Sequence, residues 1–162
     1  MNIFCDMDGT LTQYNYQDYD NNLWQLHPEV LCKEPVVTSI PKEVIILTKV
    51  TTPEEAILKQ EWASKYFPNN IFLTTYEPKY LVVDPTNSIL ISDYNKELEE
   101  WREHGGIPVK LINNVNSPRD DMTCIPQPIS FKTSMVEQDD GSMSLCIDLR
   151  TDHSEECYKL EV

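Results

Sequence analysis

The chain has 162 residues, 40% hydrophobic and 25% charged, which suits one globular domain with a real core. Its formal net charge of -14 argues against a nucleic-acid polymer as partner, because such binders carry a basic face. No apolar run reaches membrane-spanning length, and the N-terminus lacks the basic start and apolar stretch of a signal peptide. The five cysteines (Cys5, Cys32, Cys124, Cys146 and Cys157) are odd in number and contain no CxxC pair. That pattern predicts reduced thiols, no disulfide framework, no structural zinc and a cytoplasmic location.

In chain order, NIFCD (2–6) reads as a short buried strand. Residues 13–42 are irregular and rich in Tyr, Asn, Asp and Pro. EVIILT (43–48) is a continuous apolar run, the pattern of a strand covered on both faces. Thr52, Pro53 and Glu55 then announce a helix as N-cap, first helical residue and capping-box acid. Leu58, Trp62 and Tyr66 give that helix an apolar face, and Pro68 stops it.

NIFLTT (70–75) and SILIS (88–92) read as two more strands. Asn95 is a candidate cap for a helix carrying Leu98 and Trp101, closed by Gly105-Gly106. IPVKLI (107–112) is the next strand. Apolar strands alternating with helices predict an α/β fold with a mainly parallel sheet. Beyond residue 114, ISFKTSMVEQDDGSMSLCIDL (129–149) reads as a hairpin turning at Asp140-Gly141. The expected organisation is a core over 1–114, interrupted by a small insertion at about 13–42, and a β-rich extension over 115–162. That extension either covers the sheet or pairs with a second chain, so a homo-oligomer stays open.

Parallel α/β sheets gather their sites at the carboxyl ends of the strands. Asp6 and Asp8 follow the first strand, Thr48 ends the second, Asp93 follows SILIS, and Lys79 precedes that strand. The residue types fit phosphoryl transfer. One aspartate can attack phosphorus while a second carboxyl two residues on protonates the leaving alkoxide. Asp6 and Asp93 offer hard oxygen ligands for Mg2+. Thr48, Lys79 and the backbone beyond Gly9 can hold phosphate oxygens, with Gly9 allowing a tight turn. Lys59 competes with Lys79 for the cationic role, but it falls inside a helix and away from the expected loop. His27, His104 and His153 show no ligand spacing.

DMDGTLT (6–12) resembles the first motif of the haloacid dehalogenase superfamily in its phosphatase form. The strand ending in Thr48, the lysine at 79 and ILISD (89–93) resemble its second, third and fourth motifs. LKQEWASKYFP (58–68) and ISDYNKELEEWREHGGIPVKL (91–111) are most similar to the 5′(3′)-deoxyribonucleotidases of that superfamily, and the likeness covers roughly 2–112. It implies a Rossmann-like fold with a small cap insertion. Asp6 would be the nucleophile and Asp8 the general acid/base. Mg2+ would be held by Asp6, the backbone carbonyl of Asp8, and Asp93; Thr48 and Lys79 would hold the phosphate.

The family usually has two adjacent acids in the fourth motif, and the first position here is Ser92. Lys49 stands where small residues are commoner, and it adds a phosphate contact or points to solvent. The cap region carries Tyr14 and Tyr16, with Tyr19 and Trp24. Such rings stack on a nucleobase for about 1–3 kcal/mol per base, or form the cap's own small core. The expectation is a Mg2+-dependent phosphomonoesterase acting on a (deoxy)nucleoside 5′-monophosphate. The alternatives are another small phosphate ester as substrate, or a weakly catalytic binding protein with the same fold.

Overall fold

A computed structural model of the chain describes residues 1–13 and 34–162. The expected substrate contacts Tyr14 and Tyr16 lie outside the described residues, as do Tyr19, Trp24, His27, Cys32 and most of the cap insertion.

Five strands anticipated from apolar runs are β1 (Asn2–Cys5), β2 (Val44–Lys49), β3 (Phe72–Thr75), β4 (Ser88–Ser92) and β5 (Ile107–Ile112). A sixth, β6 (Thr123–Pro126), follows them. They form one parallel sheet in the order β3-β2-β1-β4-β5-β6. Strand order reverses between β1 and β4, the place where doubly wound sheets open a crevice at their carboxyl ends. The protein is therefore α/β, with a second sheet of antiparallel strands described below.

Helix α1 (Pro53–Tyr66) starts as the sequence signals dictate, with the Thr52 side chain accepting from the Glu55 amide at 3.1 Å. Its buried stripe is not the Leu58-Trp62-Tyr66 face, however. The buried positions are Glu55, Lys59, Trp62 and Ala63, and Leu58 and Tyr66 sit half out of the core. Helix α2 (Lys79–Val82) is a single turn. Helix α3 (Asn95–Glu103) buries Leu98 and Trp101. Asn95 is its first residue and not its cap; the Asn95 carbonyl Oδ1 accepts from Lys110 Nζ at 2.7 Å instead. At the far end of α3, a side chain at Gly106 would collide with the Trp101 ring, and Gly105 has a φ of +86°.

Side chains alternate across the parallel sheet. Phe4, Leu47 and Leu90 meet Leu98 and Trp101 of α3 on one face, where Phe4 and Trp101 pack edge to face at 5.4 Å. Ile3, Cys5, Ile46, Ile89, Ile91 and Val109 line the other face with Trp62 and Ala63 of α1. The rest of that second face is covered by an antiparallel sheet of β7 (Ser130–Glu137), β8 (Met143–Arg150) and β9 (Glu155–Glu161). It contributes Phe131, Leu145, Ile147, Leu149 and Leu160 to the same core. β7 and β8 form the hairpin foreseen at Asp140-Gly141, where Gly141 has a φ of +82°.

The expectation of uniformly reduced cysteines is corrected here. Cys146 on β8 and Cys157 on β9 form a disulfide, with Cα atoms 6.2 Å apart. Cys157 pairs in register with Asp148, so the two cysteines are diagonal neighbours across the strands. Their partnership depends on strand register and leaves no spacing signature such as CxxC. It removes the cysteine-based reason for expecting a reducing compartment. No described helix is long and apolar enough to cross a membrane.

Candidate functional site

The carboxyl ends of β1, β2 and β4, together with α1, α2 and β5, supply a cluster of buried charges. Asp6 leaves β1 with its amide bonded to the Ile91 carbonyl at 2.8 Å, which ties the first loop to β4. The chain then turns so that the amides of Thr10, Leu11 and Thr12 all point to the Met7 carbonyl at 2.9–3.2 Å. Gly9, with a φ of +71°, donates its amide to Thr12 Oγ1. The amides just after Gly9 are thus committed to the turn, and the Asp8 amide makes no hydrogen bond among the described residues.

Each of the two aspartates meets its own lysine. Lys79, at the start of α2, donates from Nζ to Asp6 Oδ1 at 2.6 Å and to Glu97 Oε2 at 2.7 Å. Lys59, from the middle of α1, reaches Asp8 Oδ2 at 2.5 Å and Thr48 Oγ1 at 3.1 Å. Lys59 also bonds the Lys49 carbonyl at 2.9 Å and pairs with Glu55 at 3.0 Å. Burial alone would lower both ammonium groups, but their carboxylate partners outweigh it and hold both above the usual lysine range.

Asp93 lies at the end of β4 directly over Gly9, where any side chain on residue 9 would strike its carboxylate. This close approach is a requirement for glycine at position 9, independent of its positive φ. Asn113 Nδ2 donates to Asp93 Oδ2 at 2.9 Å, and the Thr10 hydroxyl faces Oδ1 at 3.4 Å. Burial and repulsion from Asp6 push Asp93 up to about 7. Loss of hydration also raises Asp8, opposed by Lys59, and burial raises Glu97, opposed by Lys79.

The structure therefore brings Asp6, Asp8, Thr48, Lys79, Gly9 and Asp93 to one end of the sheet. The Lys49 side chain is exposed, and its carbonyl, not its ammonium, faces the cluster through Lys59. Lys59, the competitor of Lys79 in the sequence, lies inside a helix as expected and nevertheless reaches the cluster, and Glu97 joins it without a signal in the sequence. The overlooked signal for Lys59 is the Glu55-Lys59 pair, four residues apart and in line with Trp62 and Ala63. Glu97 places a carboxylate beside Ser92, whose hydroxyl approaches Glu97 Oε2 at 3.4 Å. It does so from the first turn of α3, four residues after Asp93.

The Asp6 carboxylate, the Asp8 carbonyl, which accepts no hydrogen bond among the described residues, and the Asp93 carboxylate are hard oxygens of the type a divalent cation takes. The described residues also hold a Cys146-Asp148-Cys157 group of metal-ligand type, but its two sulfurs are joined to each other.

No protein-family model matches the chain, and no curated protein is similar enough to count as a relative.

Proposed function

We propose that the protein is a metal-dependent phosphomonoesterase of the haloacid dehalogenase type, with Asp6 as nucleophile and Asp8 as general acid/base. The observation that carries this reading is the paired arrangement at the end of β1. Asp6 and Asp8 are each bound by a separate buried lysine, with Asp93 beside them over Gly9.

In the first displacement, Asp6 Oδ2 attacks phosphorus and the ester P–O bond breaks, leaving an aspartyl-phosphate. Asp8 gives its proton to the departing alkoxide oxygen. In the second, Asp8 takes a proton from water, the water oxygen attacks phosphorus, and Asp6 is released with inorganic phosphate. Lys79 orients Asp6 by holding Oδ1, which leaves Oδ2 for the attack. Mg2+ bound by Asp6, the Asp8 carbonyl and Asp93 would offset anionic charge on the transferring group. Thr48, held beside Lys59, and the Asp8 amide would offer hydrogen bonds to the remaining phosphate oxygens. Lys59 and Lys79 are each paired with two carboxylates, so a bound cation would have to supply the positive charge that an anionic substrate needs here.

A (deoxy)nucleoside 5′-monophosphate is the proposed substrate, on the resemblance of 58–68 and 91–111 to nucleotidases. Another small phosphate ester would use the same chemistry. Asp6→Asn retains the shape of the side chain but removes the nucleophile. Phosphate release from nucleoside monophosphates and from a generic aryl phosphate should fall by at least ~1000-fold, with the melting midpoint preserved. Turnover equal to wild type in that variant would refute the assignment.

A further inference from the structure

We propose that Asn113 is a positioning residue for the divalent-cation site, holding the Asp93 carboxylate and the Gly9 carbonyl in a single arrangement. The proposal rests on the metal-dependent reading above and assigns a part to the C-terminal end of β5.

Asn113 directly follows β5. Its Nδ2 donates to Asp93 Oδ2 at 2.9 Å and to the Gly9 carbonyl at 3.0 Å. One amide nitrogen therefore uses both of its protons to bridge the end of β4 and the loop after β1. The opposite atom of the same side chain, Oδ1, accepts from the Val115 amide at 3.0 Å and the Asn116 amide at 3.2 Å. Flipping the amide would turn Oδ1 onto a carboxylate and a carbonyl and Nδ2 onto two N–H donors, so the orientation is fixed by four contacts at once.

The loop that presents Asn113 is itself closed. Asn116 Oδ1 accepts the Asn113 amide at 3.1 Å, while Asn116 Nδ2 donates to the Leu111 carbonyl at 3.0 Å. Asn113 is thus preorganised by its own turn before it touches the site. The contact point is also tight, because Asp93 rests where residue 9 has no room for a side chain. Since Ser92 supplies no carboxylate, β4 offers one acidic ligand from its end, and the placement of that ligand sets the affinity. Partners that orient a metal ligand through hydrogen bonds are worth about 10–100-fold in metal affinity.

Asn113→Ser is the decisive variant. A serine at the head of a turn keeps a short acceptor for the following amides but cannot reach Asp93. Asn113→Ala removes both functions. Binding of Mn2+ alone to the full chain is read by electron paramagnetic resonance, the melting midpoint is taken in EDTA, and phosphate release is titrated with Mg2+. The Mn2+ dissociation constant should rise by about 10–100-fold in Asn113→Ser. Its melting midpoint in EDTA should fall by only a few degrees, for the two lost hydrogen bonds, with a single cooperative transition retained. Half-saturation by Mg2+ should move by a similar factor, with kcat at saturating Mg2+ nearly preserved. Equal Mn2+ affinity in wild type and Asn113→Ser overturns the proposal and leaves the phosphatase reading standing. A wild-type chain that binds no Mn2+ overturns both. If Asn113→Ala fails to fold, the serine variant alone decides.

Discussion

Asp6 and Asp8 lie two residues apart on one strand end, yet they are held by lysines from different helices: Asp6 by Lys79 of α2 at 2.6 Å and Asp8 by Lys59 of α1 at 2.5 Å. Strand alternation would put residues two apart on one side, but Asp8 already lies in the turn after β1, so the two carboxylates face different neighbours. Each lysine is also gripped by a glutamate of a helix, Lys79 by Glu97 and Lys59 by Glu55. The arrangement gives two chemically identical side chains two separately adjustable surroundings, as a nucleophile and its acid/base partner require.

Lys59 is fully buried, and Glu55 and Asp8 depend on it for charge balance. Lys59→Met should cost about 3–5 kcal/mol of stability in urea unfolding, because it strands a buried carboxylate. Adding Glu55→Gln should return only part of that loss, since one of the two carboxylates is removed while Asp8 still lacks its lysine. Phosphate release should stay low in both variants, because Asp8 and Thr48 still lack their ammonium. A double variant that regained full activity would show that Lys59 serves stability alone.

Stability of the metal-free protein should fall as pH rises from about 4 to about 7. The sign follows from Asp93, whose carboxyl is pushed up to about 7 in the folded chain against an ordinary value near ~3.9 when unfolded. Between those values the folded state keeps a proton that the unfolded state has lost, so raising the pH favours unfolding, by at most about 1.4 kcal/mol per pH unit for this group. Asp8 and Glu97 are raised too and act in the same direction. Melting in EDTA across that range checks it, and Mg2+ should stabilise more at pH 7.5 than at pH 5. A midpoint in EDTA that climbed steadily over the range would contradict the burial-driven rise.

Ile147, at the centre of β8, is fully buried in the core that also contains Trp62 of α1. Ile147→Ala should cost about 2–5 kcal/mol, and Ile147→Val about 0.5–1.5 kcal/mol. Tryptophan fluorescence and circular dichroism should report the same shifted midpoint if the two sheets melt together. A fluorescence midpoint left in place would mean that the antiparallel sheet unfolds as a separate unit.

The parallel sheet was legible because its strands are buried on both faces and read as unbroken apolar runs, such as VIILT and SILIS. The residues at strand ends followed from that, which is why Asp6, Asp8, Thr48 and Asp93 could be placed together. The contribution of α1 was not legible in the same way. An amphipathic pattern ranks Leu58 above Lys59, but the stripe facing the site is occupied by a mutually neutralising Glu55-Lys59-Asp8 chain whose third member lies 51 residues from the second. β6 and the Asn113 turn escaped notice because short strands and Asn-rich loops carry no periodicity. The Cys146–Cys157 bridge escaped because a diagonal cross-strand contact is fixed by register alone.

The antiparallel sheet also sets a timetable. The parallel strands through Ile112 are complete while roughly 50 residues, up to Glu161, remain to be made. At typical synthesis rates of about 5–20 residues per second, that is about 2–10 seconds. During this interval the face carrying Ile3, Ile46, Ile89 and Val109 awaits Leu145, Ile147 and Leu160. Until β7, β8 and β9 follow, that half-roofed apolar face is open to contact with other chains.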